Sequence, residues 1–279
     1  MHLDKRLRSV TANTILNAPD GMQRMDIFLT SHKGNIVSDL IKWGTNSFFS
    51  HAAATFLLPN CDAGFDHAFV MEAFGRGVEV RNAEKYFGHP ENYDFAIVRV
   101  KDPWIGGSGD PAENLRKLAR GRMLEHIEAT YDRWRFLEIA WDVLFRRPAY
   151  LIQSYRESRH RDRTALRLHR MQAPRQFVCS TFVSYAFYET ARQHGSLEQK
   201  PDKYTPSVLF HPDFAHGIPP GMKQSEIVDR VLTTSPADLV RSDLLEWRWM
   251  VVNGKAERVT SREEALAFTR KAYGPKINF

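Results

Sequence analysis

The sequence predicts an α+β protein: an antiparallel central sheet packed against helices, with a C-terminal hairpin and helix appended. Three observations predict it. Short apolar runs recur between residues 51 and 100 with turn-length links, which favours hairpin-connected strands. Apolar residues at three- and four-residue spacing follow Gly34, Pro111 and Cys179, which marks amphipathic helices. The 279 residues are enough for a sizeable core, and 43% hydrophobic with 26% charged residues are ordinary globular values.

Residues 1–24 carry no strong period and read as an irregular lead-in. MDIFLT (25–30) reads as a short strand, and the polar turn 31–34 leads into a helix whose Ile36, Val37, Leu40, Ile41 and Trp43 share one apolar face. Gly44 ends that helix, and residues 45–49 deliver the chain to His51. HAAATFLL (51–58) is a buried strand stopped by the turn-rich PNCDAG. Strands at 67–73, 78–81 and 95–100 complete an expected four-strand meander. After a loop at 102–111, a helix is expected over 112–131 and another over 134–146, ended by Pro148. QFVCSTFVSYAFYETA (176–191) follows, with Phe182, Val183, Ala186, Phe187 and Ala191 on one buried helical face. Residues 204–221 read as a packed loop. Asn253-Gly254 joins strands 247–252 and 255–259, and Thr260 with Glu263 forms a possible capping box for a last helix. The organisation is therefore a lead-in (1–24), a main domain (25–222) with an arginine-rich insert at about 133–175, and an extension (223–279).

The net charge of +6 is unevenly placed. Between Arg133 and Arg175 stand eleven arginines, no lysine and four acids, a local +7 that exceeds the charge of the whole chain. Arg without Lys suits phosphate recognition, while the plain alternative is a solvated helix face. No apolar stretch is long enough to span a bilayer, and the N-terminus lacks the apolar core of a signal peptide. Two cysteines, Cys61 and Cys179, point to free thiols and a reducing, cytoplasmic setting; signal-less export stays open.

Cys179 stands where a helix should begin, among amide N–H groups with no helical partner and at the positive end of the helix dipole. That setting favours the thiolate, the nucleophilic form; a buried structural cysteine is the alternative. A cysteine nucleophile needs a base, and His51 opens a predicted strand at the sheet's edge. The small Ala52, Ala53 and Ala54 beside it allow another element to approach closely. Glu72, in the apolar run FVMEAF on the neighbouring strand, is costly to bury without a partner, and an imidazole supplies one. A half-exposed His51 and a solvent-facing Glu72 are the alternatives, and His67 competes for the third position. Cys61, in a turn, reads as incidental. No zinc-ligand spacing and no nucleotide-binding glycine motif occurs, so neither metal nor cofactor is expected.

The order DIFLTSHKGNIVSDLIKWGTNSFFSHAAATF, VMEAFGRGVEV, YDFAIVRV, ATYD, FVCSTFVSYAF and YTPSVLF resembles the circularly permuted NlpC-type papain-like cysteine amidases and peptidases, most closely the YaeF/YiiX-like group. The likeness covers roughly residues 25 to 210. It implies a permuted papain-like fold, with Asp26 opening the first strand, Ser50-His51 ending the loop and Glu72-Ala73 ending a strand. It implies Cys179 as nucleophile, His51 as base and Glu72 as the orienting residue. It also implies Tyr131 as a site-lining residue and the Cys179 N–H as part of the oxyanion hole, with Ser180 beside it. The arginine-rich insert and the tail after about 222 depart from the pattern.

The leading expectation is a cysteine hydrolase that cleaves an amide of a small peptide, cell-wall-type or acylated substrate through a thioacyl-enzyme. One alternative is a lipid or protein acyltransferase with the same site, since lecithin:retinol acyltransferase belongs to the wider permuted group. A second is a non-catalytic module in which the insert, with Trp134, Trp141, Phe145, Tyr150 and Tyr155 interleaved, binds an anionic membrane. Nucleic acid is the less favoured partner.

Overall fold

The computed structural model describes residues 14–16, 21–58, 68–75, 77–127, 129–131, 176–200 and 203–279. Among them, β1 (Ile27–His32), β2 (His51–Leu57), β3 (Phe69–Phe74), β4 (Gly77–Asn82), β5 (Tyr93–Val100), β8 (Leu245–Val252) and β9 (Lys255–Arg258) form one antiparallel sheet. Its order is β4-β3-β2-β1-β5-β8-β9. Two short strands, β6 (Thr130–Tyr131) and β7 (Gln176–Phe177), pair in parallel apart from it. Mixed helix and antiparallel sheet make this an α+β fold.

Strand alternation divides the core in two. Ile27, Leu29, Ala52, Ala54, Met71, Ala96 and Val98 face one side, where they meet Phe182, Val183, Ala186 and Phe187 of α5 (Cys179–Leu197). Phe28, Ala53, Val70, Phe95 and Ile97 face the other, against Tyr86 and Phe87 of the one-turn helix α2 (Glu84–Phe87). The three alanines of β2 are fully buried, and α5 packs across β2 and β3. Without larger side chains there, the helix N-terminus comes close to the β2 backbone.

The fourth expected strand corrects the simple meander. β5 does not pair with β4; it crosses to the far side of β1, pairing Ile27 with Val98 and Thr30 with Phe95. Seven of its eight residues are buried, so it belongs in the middle of a sheet and not at its edge. The tail then extends the same sheet, β8 pairing with β5 and β9 with β8. A buried ion pair fixes the β1–β5 register: Arg99 Nε and Nη2 donate to Asp26 Oδ1 and Oδ2 at 2.7 and 2.8 Å.

Several boundaries move. The helix expected over 112–131 is α4 (Asp110–Leu124), and the preceding loop contains α3 (Pro103–Gly106). The expected loop at 204–221 holds two short 3-10 turns, Thr205–Val208 and Pro212–Phe214. The tail adds α6 (Gln224–Val231) and α7 (Pro236–Arg241) before its hairpin. The last helix, α8 (Arg262–Tyr273), is capped one residue later than expected. Ser261 Oγ accepts from the Glu264 N–H at 3.2 Å, and the Glu264 carboxylate accepts from the Thr260 N–H at 2.7 Å.

The largest departure is α1 (Ile36–Thr45). It runs through Gly44 and stops at Asn46, whose left-handed backbone (φ 48°) supplies the C-cap. Its apolar face is divided: Ile36, Val37 and Trp43 are exposed, Leu40 and Ile41 are partly buried, and Ser38 is its buried residue. The helix expected over 134–146 and the whole insert lie outside the described residues. Among the described residues, no helix is long and apolar enough to cross a membrane.

Candidate active site

His51 is the first residue of β2, opposite Thr30 of β1. The strand entry is fixed just before it. The Ser50 N–H donates to the Thr30 carbonyl at 2.9 Å, and the Ser50 hydroxyl bonds the Ser38 hydroxyl of α1 at 2.6 Å. Glu72 lies on the adjacent β3, fully buried, with its Oε2 hydrogen-bonded to His51 Nε2. Nε2 being engaged, Nδ1 is the ring nitrogen left for the thiol. The Cys179 thiol lies close enough to the His51 ring for each to shift the other's ionisation, so thiol, imidazole and carboxylate form one series.

Cys179 opens α5, and its own N–H therefore has no intrahelical partner. Thr181 closes the helix start by accepting from the Val178 N–H at 3.0 Å. The backbone N–H groups of Ala52 and Ser180 lie near the Cys179 sulfur and favour its charged form. The first of these is possible because α5 sits so close to the alanine-lined β2.

Charges in the series reinforce one another. Burial pushes the Cys179 thiol up, but the His51 cation and the N–H donors outweigh it and bring the thiol below its ordinary value. Burial pushes His51 down, yet the negative Cys179 and Glu72, with their hydrogen bonds, raise it to about 9. Burial likewise opposes ionisation of Glu72, and His51, Lys85 and the Tyr86 hydroxyl more than offset it, holding the carboxyl well below the usual carboxylate range. The interactions in the site therefore favour a thiolate–imidazolium pair beside a carboxylate.

Glu72 has more support than its sequence context indicated. Tyr86 Oη donates to its Oε2 at 2.6 Å and Lys85 Nζ to its Oε1 at 2.9 Å, while Arg81 Nε stands 3.4 Å from Oε1. Burial first, then the neighbouring carboxylate, raises the Tyr86 phenol well above its ordinary value, so it remains a donor. Lys85 and Arg81 also lie over the Phe74 ring, at 4.9 and 5.1 Å from its centroid, and that ring meets the edge of His51 at 5.8 Å. Phe74 is nearly half exposed and forms the open rim beside the His51 ring. Lys85 and Tyr86 were not singled out by sequence reasoning; their only signal is an aromatic and a cation in the short link after a strand bearing a buried acid.

The other expected residues divide. Tyr131 is on β6, whose backbone pairs with Phe177 two residues before Cys179, so it lies beside the segment that feeds the site. Ser180 is buried, and its hydroxyl donates to the Thr234 carbonyl at 2.7 Å, which anchors the start of α5 to the tail. Ser180→Ala is accordingly expected to lower stability by about 1 kcal/mol in urea unfolding and to leave the alkylation rate of Cys179 unchanged. His67 and Cys61 lie outside the described residues. No family model matches the chain, and no curated protein matches its sequence.

Proposed function

We propose that this chain is a cysteine hydrolase of the permuted papain-like type, cleaving an amide bond through a thioacyl-enzyme. The observation that carries the reading is the placing of the Cys179 thiol, at the first turn of a buried helix, beside a His51 ring that is hydrogen-bonded to Glu72. The resemblance of the segments around these three residues supports the permuted fold.

The chemistry follows from the ionisation states. The Cys179 thiolate attacks the carbonyl carbon, and the negative charge moves to the carbonyl oxygen, where the Cys179 N–H is a donor without a helical partner. Collapse of this intermediate breaks the C–N bond, and the His51 imidazolium gives its proton to the leaving amine. The neutral imidazole then takes a proton from water as the water oxygen attacks the thioester. Carboxylic acid leaves, and the thiolate–imidazolium pair is restored. Glu72 holds the ring through Nε2 and stabilises its cation throughout.

The test is a panel of small peptide amides and acyl compounds, with intact-mass detection of an acyl adduct on Cys179. The expected result is an adduct that forms on wild type, is absent from Cys179→Ala and decays into water. Transfer of the acyl group to an added amine in preference to water makes the enzyme an acyltransferase instead. No adduct from any member of the panel, with an unreactive thiol, removes the enzymatic reading.

A further inference from the structure

Phe74 closes β3 opposite a residue that cannot cover it. Its partner in the β3–β4 register is Gly77, which has no side chain to lay across the ring. The ring is 45% exposed, and it stands perpendicular to the His51 ring with the two centroids 5.8 Å apart. Its position is set by two cations, Lys85 Nζ at 4.9 Å and Arg81 Cζ at 5.1 Å from its centroid. Both are already neutralised, Lys85 by Glu72 at 2.9 Å and Arg81 by Glu79 at 2.6 Å. The charges cancel, so what this wall offers a substrate is a hydrocarbon face.

The reaction sets which part of a substrate meets that face. The carbonyl oxygen turns towards the Cys179 N–H at the start of α5. The leaving nitrogen must instead come within hydrogen-bond reach of His51, roughly 3 Å, to take its proton. A substituent of a few carbons on that nitrogen then spans the gap from the imidazole to the Phe74 ring.

We propose that Phe74 is a specificity-determining residue, against which an apolar substituent of the leaving amine packs. The inference rests on the cysteine-hydrolase reading and narrows its substrates to amides whose amine half is hydrophobic. A free carboxylate or ammonium group in that place loses water without gaining a partner.

The experiment compares the N-methyl, N-butyl and N-carboxymethyl amides of one acyl group, the one that gives the strongest adduct in the panel above. Methylamine and butylamine are leaving groups of the same basicity, so their rates of acyl-adduct formation on Cys179 differ through the added carbons. Wild type is expected to favour the N-butyl over the N-methyl amide by about tenfold and to disfavour the N-carboxymethyl amide. Phe74→Ala should abolish the butyl preference, and Phe74→Leu should restore most of it. The preference is a ratio within one protein, so a general loss of stability or reactivity in Phe74→Ala cancels. A butyl preference that survives in Phe74→Ala, or that wild type lacks, overturns the inference and leaves the catalytic reading standing. A wild-type preference for the N-carboxymethyl amide gives the wall to an anion and overturns it equally. A panel that yields no adduct at all overturns the catalytic reading and this inference with it.

Discussion

Cys179 is expected to react with iodoacetamide at pH 7 faster than a free thiol, and His51→Ala should slow that reaction, by about thirtyfold where the native thiol is fully ionised. The magnitude follows from ionisation. A free thiol with a pKa of about 8.5 is about 3% thiolate at pH 7. In the native site the neighbouring cation and N–H donors bring Cys179 below its ordinary value. Without His51 the same buried sulfur keeps its desolvation and loses its cation, so its thiolate fraction drops to the free-thiol level or lower. Alkylation rates of wild type and variant, followed by mass spectrometry across pH, check this. Equal rates in the two proteins at pH 7 would show that the imidazole does not activate the thiol.

The same pair predicts two different pH profiles. Alkylation needs only the thiolate, so it rises as pH passes the lowered thiol pKa and then stays high. Amide cleavage also needs the His51 proton, and the imidazole loses it as pH rises through about 9. Cleavage should therefore fall above about pH 9 while alkylation does not. Coincident profiles would remove His51 from the role of acid.

How much of this was legible depends on what each residue's neighbours in sequence reveal. The alternation of β2 and the helical period after Cys179 identified the two elements that carry His51 and Cys179. Glu72 was legible because an acid in FVMEAF has no inexpensive burial without a partner. Its other contacts were not: Lys85 and Tyr86 come from a one-turn helix too short to leave a period. Periodicity showed that Ile36, Val37, Leu40, Ile41 and Trp43 share a face, but a period carries no sign for in or out. That sign is set by Ser38 and Lys42 bonding to Ser50 and His32, partners fixed only once β1 and β2 pair. The crossing of β5 was hidden for a similar reason. Short links suggest hairpins, while the burial of a strand on both faces, which decides its place, is a property of the assembled sheet.

Glu72→Ala is expected to have the largest effect on stability, about 3 kcal/mol in urea unfolding. The carboxylate is fully buried and satisfies His51, Lys85 and Tyr86 at once, with Arg81 nearby. Its removal leaves the buried Tyr86 hydroxyl without its acceptor and Lys85 without its carboxylate, while Arg81 keeps its pair with Glu79. Tyr86→Phe removes one neutral donor and should cost about 1 kcal/mol, which sets the scale for the comparison. Glu72→Gln separates charge from shape. An amide can still accept from Tyr86 and hold the ring, but it no longer favours the imidazolium, so the His51 pKa should move down from about 9. The alkaline fall in amide cleavage should move to lower pH with it. A carboxylate that only orients the ring predicts an unmoved alkaline limit in Glu72→Gln. A carboxylate that also holds the charge predicts the shift, and the short contacts from Lys85 and Tyr86 then matter because they keep Glu72 ionised.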